Sequence, residues 1–307
     1  MPPPDISIII VSWNVRERLR ACLRSLPQPG GGVETIVVDA ASADGTREMV
    51  RAEFPSVLLI ARADNVGYSR GNNLGLAQAR GRYAFILNPD TELDEQTLPV
   101  MSAYLDGHPR VGVLGPRLVL PDQSVQASRR RFPTLTTALF ESTWLAGLAP
   151  GQLLDDYYAA DLPEGEPAEV DWLVGAALLV RRAAWEQVGV LDEGFFMYSE
   201  ELDWQRRIKA AGWQIVYLPA AQVRHFEAQS SAQVPAATHI RFNTSKVRYF
   251  RKYHGVMAGE FLRWYLLSQF AFQLGLEGVK GALGHKRPLR QARMAAYWAV
   301  LRSRLRG

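Results

Sequence analysis

Five short apolar runs, the first four each followed by a stretch with helical spacing or by a loop into one, constrain this fold more than any other feature. They are Asp5–Trp13, Glu34–Asp39, Val57–Ile60, Tyr83–Leu87 and Val111–Leu114. Between the first two, Arg16–Leu26 carries Leu19, Leu23 and Leu26 at helical spacing, and the loop 27–32 closes it. Helix is expected again from Thr46 to about Glu53, near Ala79, and over Glu95–Leu105. Strands alternating with helices at this interval imply parallel βαβ units with right-handed crossovers. The runs are apolar throughout rather than alternating, as in strands covered on both faces. The expected class is therefore α/β, a central and mainly parallel sheet flanked by helices.

Two of these strands end on an acid. Phe85-Ile86-Leu87 stops at Asn88-Pro89-Asp90-Thr91, where Pro89 cannot continue the ladder and Asp90 stands at the carboxyl end. Ligands of open α/β sheets bind at that edge. A carboxylate there can hold a divalent cation, and the cation a diphosphate. The same tripeptide also serves as a plain turn. Asp39 closes the second strand, with Ser42 and Asp44 in its loop. A carboxylate at Asp39 can accept hydrogen bonds from a nucleobase or a ribose; the alternative is a turn and a helix cap.

The loop Asn65–Asn73 (NVGYSRGNN) joins backbone freedom to side-chain donors and the cation Arg70, which suits a ribose-diphosphate. Asn65, Arg70 and Asn72 are its candidate donor-binding residues. No Gly-Lys-Ser/Thr occurs, and the first strand is followed by Ser12-Trp13-Asn14 rather than Gly-x-Gly. These facts argue against a P-loop NTPase, a nicotinamide dehydrogenase and a sugar-nucleotide pyrophosphorylase.

The second half is less regular. Residues 116–133 are polar and carry Arg129-Arg130-Arg131; residues 134–171 show no clear period, and Asp161–Glu169 is expected as a surface loop. Trp172–Val180 is a core strand interrupted at Gly175, and Arg182–Val188 a short helix. Trp172 stacks on a sugar face or packs in the core; the sequence leaves both open. In Asp192–Trp204 (DEGFFMYSEELDW), Ser199 is the candidate N-cap, placing Glu200, Glu201 and Asp203 in a first helical turn. Crowded carboxylates behind an apolar lead-in repel one another, which raises one toward a general base. This helix is expected to end at Gly212, and a strand Gln214–Leu218 to be closed by Pro219. His225 follows, a candidate for completing a cation site at Asp90, with Ser230 and Ser231 beyond it.

Charge divides the chain. Residues 241–307 hold 14 Lys/Arg against Glu260 and Glu277, a balance of +12 that leaves −8 for residues 1–240. Two parts are expected, a domain over 1–240 and a basic helical region over 241–307. Trp264–Leu276 is uncharged for 13 residues but holds Ser268, Gln269 and Gln273, too short for a span of about 20 apolar residues. Flanking Lys and Arg fit an interfacial helix on an anionic membrane. No nucleic-acid-reading motif is present, so no nucleic-acid partner is expected. Cys22 is the one cysteine, which excludes an intramolecular disulfide and suits a reducing compartment. No signal peptide is visible at Ile6–Val11, so the expected location is cytoplasmic and peripheral on the membrane's inner face.

Ser7–Asn14 (SIIIVSWN), Val37–Thr46 (VVDAASADGT), Asn65–Gly75 (NVGYSRGNNLG), Phe85–Thr91 (FILNPDT), Trp172–Arg182 and Phe195–Arg207 occur in this order. Together they resemble an inverting family 2 glycosyltransferase with a GT-A fold, nearest to the bacterial rhamnosyltransferase-like enzymes. The likeness covers roughly residues 5–250. It implies a nucleotide-binding domain, an Mg2+ or Mn2+ cofactor, and a dTDP- or UDP-linked sugar donor. It also implies a glycan or lipid-linked acceptor of cell-surface polysaccharide or cell-wall assembly. The donor set it implies is Val11, Asn14, Asp39, Ser42, Asp44, Asn65, Arg70, Asn72, Asn88, Trp172 and Gly175. Asp39 would bind the nucleobase, and Asn88-Pro89-Asp90 would stand at the family's Asp-x-Asp metal motif. Asp90 and His225 would hold the metal. Glu200-Glu201 would match the family's acidic pair, with Glu201 as base and Asp203 next in line. Asn88 replaces the first Asp and Glu201 a more usual Asp. A competing reading, to which Asn88 lends support, is an inactive sugar-nucleotide-binding or scaffold subunit.

Overall fold

The computed structural model describes residues 4–27, 32–141, 143–226, 233–284 and 286–306; Ser230 and Ser231 and most of the 27–32 loop lie outside the described residues. The chain divides into two compact units. The first takes the described residues of Met1–Phe132, Asp155–Phe196 and Glu200–Ser230, the second those of Pro133–Leu154, Met197–Ser199 and Ser231–Gly307.

The first unit opens as β1 (Ile6–Ser12), α1 (Arg16–Ser25), β2 (Val33–Ala40), α2 (Thr46–Glu53), β3 (Leu58–Arg62), α3 (Tyr68–Leu76) and β4 (Tyr83–Leu87). β5 (Thr91–Leu93), α4 (Thr97–Gly107), β6 (Val111–Val119) and β7 (Arg129–Arg130) follow. After α5 (Leu135–Phe140) and α6 (Gly151–Tyr157) come β8 (Ala168–Glu169), β9 (Trp172–Leu173), β10 (Ala177–Arg181), α7 (Arg182–Val188), α8 (Glu200–Ala210) and β11 (Gln214–His225). Among the described residues these form a nine-stranded sheet in the order β3-β2-β1-β4-β10-β6-β11-β5, with β8 beside β11, and a small β7-β9 pair.

Both faces of the sheet are covered, which is why β1 is buried from end to end and apolar save for Ser7 and Ser12. Ile8, Ile10, Val37, Phe85 and Leu87 pack with Leu19 and Leu23 of α1, Met49 of α2 and Met101 of α4. Ile9, Ile36, Ile86 and Leu178 pack on the other side with Leu76 of α3, Trp185 of α7 and Trp204 and Ile208 of α8. α3 approaches β1 closely because its inward face is glycine. A Cβ on Gly75 would lie 2.3 Å from Ile9 Cγ2, and one on Gly71 2.8 Å from Val11 Cγ1. This contact gives Val11 a packing role.

The parallel expectation holds for β3-β2-β1-β4. Beyond β4 the sheet is mixed: β10 runs antiparallel to both β4 and β6, and β5 antiparallel to β11. Gly175 interrupts the predicted strand as expected, splitting it into β9 and β10. Pro219 does not close the last strand. β11 continues to His225, and a register shift between Leu218 and Gln222 takes up the proline.

In the second unit, α9 (Pro235–His254), α10 (Val256–Ala282) and α11 (Arg287–Ser303) pack together with α5. Leu262, Leu266, Phe250 and Val300 are buried, and Arg290 makes a buried ion pair with Glu277 at 2.7 Å. This unit begins before residue 241, and residues 133–154 cluster with it. The charge boundary thus misplaced the structural one: helix α9 starts in the weakly charged stretch at Pro235. No helix among the described residues is long and apolar enough to cross a membrane.

Candidate active site

Parallel pairing sets Ser12 level with Asp39 at the carboxyl ends of β1 and β2. Asp39 is fully buried. Its Oδ2 accepts from Ser42 N at 3.2 Å and from Arg47 Nε at 2.5 Å, and Oδ1 has no partner. Ser12 Oγ is also buried without a partner. Two adjacent orphaned polar atoms at a strand edge form a place for a ligand's polar groups. Sequence reading missed Ser12; its register with Asp39 is the signal that finds it. Asn14 and Ser42 knit the two loops together: Asn14 N donates to Ser42 Oγ at 3.0 Å, and Asn14 Oδ1 accepts from Ala43 N at 2.7 Å. Asp44 is a cap. Its carboxylate accepts from Thr46 N, Thr46 Oγ1 and Arg16 N. Burial would raise it, but the Thr46 hydroxyl and these backbone N–H groups outweigh burial and hold it below the usual range.

The second end is assembled from distant segments. Antiparallel pairing sets His225 opposite Thr91, and Asp90 O accepts from Phe226 N at 2.9 Å. This brings His225 Nε2 to 3.4 Å from Asp90 Oδ1, with both side chains buried. His225 Nδ1 lies 2.8 Å from Gln126 Oε1. An acceptor there suits a proton on Nδ1, and Nε2 faces the carboxylate. A hard carboxylate oxygen and an imidazole nitrogen facing each other fit a divalent cation that takes its other ligands from a diphosphate. No group of three or more His, Cys, Asp or Glu is arranged for a metal among the described residues. Asn88 points elsewhere: its Oδ1 accepts from Tyr68 OH at 2.8 Å.

Tyr68 ties this end to the acids. Its hydroxyl also lies 3.3 Å from Gly175 O, and Asn88 N donates to Ala176 O at 2.9 Å. Burial, then the charge of Glu200, keep the Tyr68 phenol protonated far above its ordinary range. Glu201 packs on Gly175, where a Cβ would meet its Cγ at 3.1 Å. α8 is fixed in this register by Gln205, whose amide accepts from Leu173 N and donates to Leu173 O, each at 2.8 Å. Burial pushes Glu200 well above the usual carboxylate range, and the adjacent Glu201 charge adds to it. Burial raises Glu201 as well, offset in part by backbone N–H groups and by the charge of Arg130. Glu200 Oε2 and Glu201 Oε2 are buried without partners. Two unsatisfied, raised carboxyls at a helix start are what proton transfer requires. Tyr68, Gln126, Gln205 and Arg130 all escaped the sequence reading, because each acts through a contact distant in the chain.

Several expected residues stand apart. Asp203 is buried against Arg207 at 3.0 Å, and that guanidinium is fixed by the carbonyls of Val188 and Val190. It makes an ion pair that ties α8 to the loop before it. Trp172 is buried, with Nε1 donating to Arg131 O at 3.0 Å, so the core alternative fits it. Asn72 is buried within α3, its amide on Tyr68 O. Asn65 makes a turn by accepting from Gly67 N, and exposed Arg70 lies 3.8 Å from Glu193. Ser199 has a left-handed φ of +64°, unlike the extended backbone of an N-cap.

The geometry agrees with what the chain is similar to. Residues 7–159 match the model of the family "Glycosyl transferase family 2". An N-acetylglucosaminyl-diphospho-decaprenol L-rhamnosyltransferase of Mycobacterium tuberculosis is 31% identical over 280 residues, 87% of this chain and 91% of its own length. A rhamnosyltransferase of Escherichia coli is 25% identical over 52% of this chain and 61% of its own. A mannosyltransferase from Pyrobaculum calidifontis, solved with GDP-Man and Mn2+, superposes with a TM-score of 0.57 at 18% identity, covering 99% of this chain and 87% of that one. TarS residues 1–349 of S. aureus superpose at 0.52 and 15% identity, over 98% and 90%. The solved structures share the GT-A fold. With a relative this similar along nearly its whole length, the chain belongs to glycosyl transferase family 2 and is a glycosyltransferase.

Proposed function

We propose that the protein transfers a rhamnose-like sugar, with inversion, from a dTDP- or UDP-linked donor to a glycan or lipid-linked acceptor in cell-surface polysaccharide synthesis. The observation that carries this is Glu201: buried, raised, unsatisfied at Oε2, and linked through Gly175 and Tyr68 to the Asn88–Asp90 strand end. In this reading the nucleobase donates to the orphaned Asp39 Oδ1, and Ser12 Oγ binds beside it. Glu201 takes the proton from the acceptor hydroxyl as that oxygen attacks the anomeric carbon from the face opposite the leaving group. Asp90 and His225 would hold Mg2+ or Mn2+, which when bound neutralises charge on the leaving diphosphate. The rhamnosyl donor and lipid-linked acceptor take their support from the named activity of the mycobacterial relative.

The test is a transfer and hydrolysis screen of dTDP-rhamnose, UDP-sugars and GDP-mannose, with Mn2+, Mg2+ or EDTA. Cation-dependent release of nucleotide from one of them is expected. Binding of a sugar nucleotide with no release in any condition would favour the inactive-subunit reading, for which the engagement of Asn88 by Tyr68 speaks.

The same reading places the helical unit on the cytoplasmic face of an anionic membrane. Phe261, Trp264, Phe272 and Val279, between 54% and 62% exposed, recur along one face of α10. Exposed Lys286, Arg287 and Arg293 flank its C-terminal end. Flotation with vesicles containing phosphatidylglycerol is expected at physiological salt, and Trp264→Glu is expected to reduce it.

A further inference from the structure

We propose that the helical unit carries a binding site for a neutral sugar ring of the acceptor, in the cleft walled by Tyr198, Phe242, Phe270 and Tyr297. The inference rests on the glycosyltransferase reading and adds a location to it. The cleft has a volume of about 330 Å³, at the lower end of small-molecule sites. α9, α10 and α11 each contribute to its wall.

Its lining selects the chemistry. Among the described residues no Asp, Glu, Lys or Arg lines it, and Lys246, whose Nζ lies 5.9 Å from the Phe242 ring, is paired with Glu141, so the lining itself offers a phosphate or carboxylate no counter-charge. The aromatic rings are already paired, one pair edge to face and the other tilted. Phe242 meets Tyr198 at 5.5 Å, and Phe270 meets Tyr297 at 5.6 Å. Such rings match the C–H face of a pyranose. Between them lie the amides of Asn243, Gln269 and Gln273 and the hydroxyl of Thr143. Thr143 and Asn243 already bond to backbone carbonyls, but an uninterrupted prenyl chain would leave Gln269 and Gln273 facing hydrocarbon, whereas a ring bearing hydroxyls offers them partners. One already lacks a partner: Gln269 Oε1 is buried with no donor, as an acceptor set aside for a ligand hydroxyl would be. His239 also lines the cleft, and burial holds its imidazole below its ordinary range, so the wall stays uncharged at neutral pH.

The backbone points the same way. Tyr198 and Ser199 take φ of +70° and +64°, a conformation that bulky side chains rarely adopt. Strain of this kind persists where a side chain must be held at a ligand. In sequence, Tyr198 is separated from Glu200 by Ser199 alone. A wall residue of the cleft and the acid pair thus share one short segment.

The test is saturation-transfer NMR on the full chain with the methyl glycosides of N-acetylglucosamine, glucose, mannose and rhamnose, with geranyl phosphate as the apolar probe. One glycoside is expected to receive saturation, strongest on its ring C–H protons. Gln269→Leu, nearly equal in volume, and Phe242→Ala are expected to weaken that signal by roughly fivefold or more, as lost hydrogen bonding and ring contact imply. Binding of Mn2+ with dTDP or UDP is expected to stay at the wild-type level in both variants. The inference falls if the wild type binds no glycoside, if both variants leave the signal unchanged, or if geranyl phosphate alone binds. Failure of the wild type to bind any nucleotide would sink the donor reading instead, and so the two failures are told apart.

Discussion

The two ends of the candidate site are built in opposite ways. At the Asp39 end, the residues are near neighbours in the chain: Asp39, Ser42 and Arg47 belong to one strand–helix unit, and Ser12 and Asn14 to the unit before it. At the Asp90 end, Asp90 meets His225, His225 meets Gln126, and Tyr68 bridges Asn88 to Gly175 and hence to Glu201. The first end needs only a correctly formed parallel sheet. The second needs strands β5, β10 and β11 and helix α8 all in register. On the proposed reading, binding and chemistry are therefore separable by mutation, since each end has its own supports.

Glu201→Gln breaks the comparison most sharply. Turnover is expected to fall by about 10²–10⁴-fold, the range of a general base, while calorimetry shows nucleoside diphosphate binding within about twofold of wild type. Equal losses in both would mean that the ends are not separable. Asp39→Asn is the converse, because a charged hydrogen bond is worth about 1.5–3 kcal/mol. Donor KM is expected to rise by roughly 10–100-fold, with kcat at saturating donor nearly kept. Gln126→Leu sharpens the contrast through the His225 tautomer. It is expected to weaken Mn2+ binding by up to about 10–100-fold, as for other partners of ligating imidazoles, with nucleotide binding without metal unaffected.

The smallest effect concerns stability. The Glu200 carboxyl is raised in the folded protein, so between the ordinary Glu value and the raised one the folded state binds more protons than the unfolded. That contribution is present below the unfolded value and is lost as pH rises through the folded one. Glu200→Gln should remove this pH dependence and raise Tm at pH 8 by roughly 2–4 °C, the shift produced by about 1 kcal/mol in a unit of this size. An unchanged Tm would mean that Glu200 is ionised without penalty.

How much of this was legible in the sequence follows the same division. β1 to β4 could be read because each strand and its helix are signalled locally, by apolar runs and leucine spacing. Asp39 and Asp90 were readable as strand ends for the same reason. β10 entering antiparallel, and β11 passing Pro219 to reach His225, depend on which strand pairs with which, and no local pattern encodes that. Asp203 and Glu201 look alike in sequence, two acids in one helical turn. Only Arg207, one turn further along the same face, distinguishes them. The domain boundary was read from charge, which reports solvent exposure and partners rather than packing.

The pairing of β5 with β11 also sets an order of events in synthesis. Asp90 and His225 are held together by strands whose partners are Thr91 and His225, Glu92 and Arg224, Leu93 and Val223. Contacts this far apart in the chain form late, and domains begin to fold while the ribosome is still adding residues. The Asp39 strand end can be complete while Asp90 and His225 are not yet together. On the proposed reading, a nascent chain that has not yet reached His225 has the Asp39 edge without the partner that Asp90 needs to hold a cation.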